Sequence, residues 1–326
     1  MNLRQTALLP ALALLLAATA QAQPRDNSWP EYATRPGKLV DVGGYRLNYY
    51  SFGEGSPTVV MEAGGGWGAV AWARIMPRLA AVTRVISYDR AGMNFSDFGP
   101  IERAPEQDVR DLRELLRREK IPGPYLFVGW SAGGMIVRWY ASLHPEETAA
   151  VITVDGSDFD YWDPQAPNPD WLANAIKRFR DARDAAEQKL FDKDPGLLAR
   201  SSLMINPLHF YAPMREALAE RVKDPRAYAQ TLHHLEHMKE SNDGLRRVWK
   251  HLGPIPLRVL VAGEHVVKNN RDFLDHAYRI AGMSNDGLMI IVPGTTHGMH
   301  LDKPDPIVEQ INDMVLRIRA RRSAAR

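Results

Sequence analysis

The chain contains no cysteine, so no disulfide staples it. Nor is there an excess of charge of one sign. Its 41 basic and 39 acidic residues leave a formal net charge of +2, and the basic residues are scattered. No groove for nucleic acid is implied. The closest approach to a basic run, "RIRARRSAAR" at the end, reads as a solvated helix end. Internal repeats and low-complexity tracts are missing too. Beyond the first two dozen residues no apolar run is long enough to span a membrane, which takes about 20 residues. Stability must therefore come from a hydrophobic core. The 326 residues, 45% of them hydrophobic and 25% charged, are enough to build one.

The beginning has what the rest lacks. Arg4 supplies a positive region, "ALLPALALLLAATA" is apolar, and "AQA" places small residues at Ala20 and Ala22. This is the pattern of a secretory signal peptide over residues 1–22, with cleavage expected after Ala22 and export to a periplasm or the medium.

Further on, strands and helices alternate. "KLVDV" and "YRLNYYSF" flank Gly43-Gly44 as a hairpin. "TVVMEA", "RVISY", "YLFVG" and "AAVITV" read as buried strands. Leu112, Leu115 and Leu116 mark an amphipathic helix. "AVAWARIMPRLA" looks helical, with Pro77 expected to end or bend it. From about residue 156 to 250 helical patterns continue without a convincing strand. "LRVLVAG", "DFLDHAYRIAG", "LMIIVPG" and "PIVEQINDMVLRIRA" then restore the alternation. The expected fold class is α/β, a mostly parallel central sheet with helices on both faces. Its core would occupy residues 23–155 and 251–326, and a helical lid, 156–250, would be inserted between them.

"YLFVGWSAGGM" sets Ser131 between Gly129 and Gly133 where a strand turns into a helix. So sharp a turn tolerates only tiny residues two positions either side of it. This is the G-x-S-x-G nucleophile elbow, which raises a serine at the carboxyl end of a sheet. Ala132 opens the following helix, and its N–H is a candidate oxyanion donor. On these residues the chain resembles the α/β-hydrolase superfamily from about residue 38 to 319. In that family an oxyanion loop follows the third strand. Here it would be "MEAGGGWG", with Ala63 where a histidine is common and Gly65 at the donor position. The family's D-R-x-G-x-G-x-S stretch corresponds to "DRAGMNFS", with Asn94 for the second glycine. Asn94 can adopt the left-handed backbone of that turn. Asp89 and Arg90 are read as bracing it.

The resemblance also implies a base. In "PGTTHGMHLDKPDPI", His297 stands seven residues before Pro304, the family's spacing. His300 is the rival. The acid is left open. The family's usual position after "LRVLVAG" holds Val266. Asp155, at the end of the preceding strand, is the favoured carboxylate, with Glu264 and Asp272 as alternatives. Trp67, Trp130 and Trp162 are expected to line the substrate pocket, and Trp72 to lie in the core. His233 and His237 have helical i, i+4 spacing, but no supporting ligand cluster is evident, so no metal is expected. Nor is any cofactor.

The chemistry expected is a secreted serine hydrolase acting on a carboxylic ester of a small or medium, apolar or aromatic molecule. Three alternatives stay open: an aminopeptidase-like amide hydrolase, a non-hydrolytic member of the fold (cofactor-free oxygenase or carbon–carbon bond cleavage), and a catalytically silent binding protein.

Overall fold

The computed structural model describes residues 35–102, 105–156, 169–194, 197, 218–237, 243 and 250–324. Residues 1–22, read from the sequence as a signal peptide, and Trp162 lie outside them. Eight strands form one sheet: β1 (Lys38–Asp41), β2 (Arg46–Phe52), β3 (Val59–Glu62), β4 (Val85–Tyr88), β5 (Tyr125–Trp130), β6 (Thr148–Val154), β7 (Leu257–Ala262) and β8 (Gly287–Val292). Their order is β1-β2-β4-β3-β5-β6-β7-β8. The β1–β2 and β2–β4 pairs are antiparallel and every later pair is parallel. The first hairpin turns at Gly43 and Gly44, both at positive φ, where the Asp41 carboxylate accepts their N–H groups.

Continuous apolar strands need cover on both faces, and two clusters provide it. On one face α2 (Pro105–Arg118) contributes Leu112, Leu115 and Leu116, and α3 (Ala132–Leu143) contributes Ile136, Val137 and Tyr140. On the other, α1 (Met76–Ala80) brings Met76 and Leu79, and the helix Asp305–Ala324 brings Ile307, Ile311, Met314 and Ile318. Phe127 joins the first cluster, and Leu126 and Val128 the second, as strand alternation requires. The "AVAWARIMPRLA" segment is not one bent helix. It is a 3₁₀ turn, Ala69–Trp72, followed by α1, and Pro77 opens α1 instead of ending it. Proline is at home there because the first-turn N–H groups have no helical partner.

Between β6 and β7 the described residues contain no strand. They include α4 (Pro169–Glu187), α5 (Leu190–Lys193) and α6 (Arg226–Glu236). Phe179, Ala182, Phe191, Tyr228 and Leu232 form a third cluster that also takes in Met93 of the core. Gln230 donates to the Pro100 carbonyl at 3.0 Å, and the Arg221 and Arg226 guanidinium groups lie over the Phe98 ring at 4.1 and 4.4 Å. These contacts fix α6 and the 3₁₀ turn before it, Arg221–Lys223, to the loop after β4. No helix of the described residues is long and apolar enough to cross a membrane.

Candidate active site

In-register pairing ends β3, β5 and β6 at one level, since Glu62 pairs with Gly129 and Trp130 with Val154. The residues just beyond those ends therefore meet at the carboxyl edge of the sheet. Ser131 stands at φ 52° and ψ −124°, a region that L side chains rarely adopt. The flanking glycines make this turn possible. A Cβ on Gly129 would overlap the Gly133 carbonyl and stand 2.6 Å from the Gly134 nitrogen. One on Gly133 would lie 2.7 Å from the Ala63 carbonyl oxygen and collide with that of Glu62. These neighbours are backbone, so they cannot swing aside. Gly133→Ala is therefore expected to lower stability by about 1–3 kcal/mol, the usual cost of overpacking. Urea unfolding with an unchanged m value would measure it.

Gly133 also holds α3 against the loop after β3, which carries the second candidate oxyanion donor. Arg90 shapes that loop. Its Nη1 donates to the Ala63 carbonyl and its Nη2 to the Gly64 carbonyl, each at 2.7 Å, while Glu62 pairs with the same guanidinium. In a trans peptide the carbonyl and the following N–H point in opposite directions. Drawing the Gly64 carbonyl toward Arg90 thus turns the Gly65 N–H away from it. Gly65 lies beside Ala132, since a Cβ built on it would be 3.9 Å from the Ala132 Cβ. Asp89 is buried and accepts the Ala69 N–H at 2.7 Å and the Asn48 amide at 2.7 Å. Asn94, at φ 34°, donates to Asp89 at 3.0 Å. Its left-handed turn is thus held from within the loop.

Asp155 follows β6 at φ 45° and is 0% exposed. His297, 47% exposed at its side chain, brings Nδ1 to 2.7 Å from Asp155 Oδ2. Asp155 Oδ1 accepts the Ala262 N–H at 2.8 Å. Burial opposes ionisation of this carboxyl, but the hydrogen bonds of His265 and His297 outweigh it and hold the group far below the usual carboxylate range. Glu264 sits differently. Its Oε1 accepts the His297 backbone N–H at 2.7 Å, and its Oε2 pairs with Lys268 at 2.6 Å. It touches the main chain of the histidine loop and leaves the imidazole to Asp155. Burial raises the Glu264 carboxyl, but Lys268 and the His297 N–H bring it below its ordinary value. Asp272 lies in the first turn of the helix Arg271–Ala281.

Trp130 fixes the other side of that loop. Its indole N–H donates to the His297 carbonyl at 2.8 Å, and its ring centroid lies 5.3 Å from the imidazole. Trp67 meets Trp130 edge-on at 5.4 Å. His300, fully buried, packs 4.0 Å from Trp130 and 5.7 Å from Trp72, behind the site. Trp72 is core.

A cavity of about 490 Å³ gathers these parts. Ser131, His297, Gly65, Ala132, Trp67 and Trp130 line its sheet side. Asn174, Ala175, Arg178 and Phe179 of α4 line the opposite side with Gln230, His234 and Leu235 of α6. Those α4 and α6 residues, and His265 with Phe273, were not singled out from the sequence. Their approach is tertiary, and only helical periodicity on α4 and α6 hinted at an inward face. The His233 and His237 rings lie 4.1 Å apart, and His237 Nδ1 is 2.9 Å from the His233 carbonyl. No third ligand joins them among the described residues.

The comparisons with known proteins agree with this architecture. A pimeloyl-[acyl-carrier protein] methyl ester esterase of Hamiltonella defensa is 33% identical over 125 residues, 38% of this chain and 46% of that protein. The matches span a fifth and just under half the length of two other curated relatives, and 85% of a third at 23% identity. Among solved structures, the epoxide hydrolase CorEH superposes with a TM-score of 0.63 at 20% identity, covering 85% of this chain and 97% of the other. A thermophilic esterase from Thermogutta terrifontis gives 0.59 at 17% identity, covering 87% and 98%. At such identities the likeness is one of fold. The sequence model of the family described as "Alpha/beta hydrolase family" matches residues 59–310, most of the chain. With the sheet order and the elbow already described, this match places the chain in the alpha/beta hydrolase family.

Proposed function

We propose that the protein is an exported serine hydrolase that cleaves carboxylic esters of small to medium, apolar or aromatic molecules through an acyl-enzyme. The observation that carries this reading is the His297–Asp155 hydrogen bond of 2.7 Å in a cavity that also exposes Ser131 at its strained turn. Asp155 fixes the proton on Nδ1 and leaves Nε2 to act as base. Ser131 Oγ attacks the acyl carbon, and His297 takes its proton. The oxyanion is received by the N–H groups of Gly65 and Ala132. The proton passes to the leaving alcohol, and water activated by His297 then releases the acid.

The nature of residue 131 favours acyl transfer over epoxide opening. A serine oxygen that attacked an epoxide would leave an ether, which water does not release. Attack on an ester leaves another ester, which water does. The lining of Trp67, Trp130, Met93, Met135, Phe179 and Leu235 suits an apolar group. In this reading α4 and α6 are the lid that shields the acyl-enzyme, and residues 1–22 are removed on export.

The test is direct. The mature protein should hydrolyse p-nitrophenyl esters of graded chain length faster than aminoacyl anilides, and a fluorophosphonate should label Ser131. A protein that binds these esters without turnover or labelling is a binder. N-terminal sequencing of the exported protein should begin at Gln23.

A further inference from the structure

Asp155 serves a second histidine. His265, on the short helix Glu264–Val267, places Nε2 3.1 Å from Asp155 Oδ2, the same oxygen that His297 Nδ1 meets at 2.7 Å. His265 Nδ1 lies 3.2 Å from the Asn270 side-chain amide nitrogen. The orientation of that amide is set independently. Asn270 caps the helix Arg271–Ala281, and its Oδ1 accepts the Phe273 N–H at 3.3 Å. The amide NH₂ therefore faces His265 and donates to Nδ1. The proton of a neutral His265 must then reside on Nε2 and point at Asp155. Phe273 stacks on the ring, with centroids 3.7 Å apart and planes 6° from parallel, and holds it in this pose.

We propose that His265 is a positioning residue for the reaction, a fixed N–H donor that shares the Asp155 carboxylate with His297 and so sets the basicity of His297. This inference rests on the reading of Asp155 and His297 as acid and base. The hydrogen bond from His265 spreads the negative charge of Oδ2 and weakens its hold on a proton-bearing His297. Three N–H donors, from Ala262, His265 and His297, keep the carboxylate ionised inside the protein. The charged and titratable groups around the pair are Asp155 at the end of β6, Glu264 and Lys268 at the two ends of the short helix, and, lining the same cavity, Arg178 of α4, His234 of α6, Arg90 and Asp108. From the helix Arg271–Ala281 and its cap, the neutral Asn270 and Phe273 touch His265.

Two variants separate the donor from the ring. His265→Phe keeps an aromatic ring against Phe273 and removes the N–H. His265→Gln removes the ring and keeps an N–H at the reach of Nε2. The readout is the titration of His297, followed by NMR of ring-labelled histidine and assigned with His297→Gln. It needs no substrate, so it remains valid if the ester reading fails. That separate failure would appear as no hydrolysis by the wild-type protein. In His265→Phe the His297 titration should move up by about one pH unit, the size expected from losing one hydrogen bond to a charged group. Where esters are turned over, the acid limb of kcat/KM should move with it and KM should change little. His265→Gln should titrate as the wild type does. A His297 titration unmoved in folded His265→Phe, or moved equally in both variants, would overturn the proposal.

Discussion

Ser131→Ala is expected to remove ester turnover while leaving the fold in place. In a well-studied triad, loss of the nucleophile costs on the order of 10⁶ in kcat. The fold should survive because the turn is held by backbone approach at Gly129 and Gly133, and the serine side chain contributes nothing to that approach. Alanine at φ 52° bears the same Cβ strain that serine already bears. Substrate binding should therefore persist, and Kd for a slowly hydrolysed ester should stay near the wild-type KM. Retention of more than a tenth of the activity in a variant shown pure by mass spectrometry would remove Ser131 from the mechanism.

The second large effect separates the two carboxylates. Asp155→Asn should lower kcat about 10⁴-fold, as the equivalent change does in a related triad. Either orientation of the new amide faces a donor with a donor. One sets NH₂ against His265 and His297, the other against Ala262 N–H. In the first orientation the His297 ring relieves its conflict by moving its proton to Nε2, where it can no longer act as base. Glu264→Gln should cost less than about tenfold, because glutamine keeps an oxygen for the His297 N–H and loses only an exposed ion pair with Lys268. Assayed side by side with circular dichroism, the reverse ranking would put the acid on the later loop.

The parts that could be read from the sequence are those whose cause is local. Gly129 and Gly133 announce the turn at Ser131 because the steric demand acts over two residues. The strand run before Asp155 places that residue at an edge of the sheet. Periodicity marks Leu112, Leu115 and Leu116 as one face. The order of the strands, with β4 inserted between β2 and β3, leaves no comparable trace. His265 also escaped notice, since its partner is 110 residues away. Arg90 was read as a brace, but the carbonyls it holds were not visible from spacing. The Pro77 segment misled because proline stops a helix from inside and starts one from its first turn, and the sequence alone does not say which applies. Trp162 stays outside the described residues.

The contact between Trp130 and His297 has an optical consequence. An indole is an ultraviolet fluorophore, and a protonated imidazole is one of its effective quenchers. Trp130 sits one residue from Ser131, with its ring 5.3 Å from the His297 ring. The protonation state of the site is thereby written into the emission of the protein itself. Seven other tryptophans add a background. The difference between the wild type and His297→Gln subtracts them, leaving a label-free signal from the Ser131 and His297 side of the cavity that can be followed in a stopped-flow instrument.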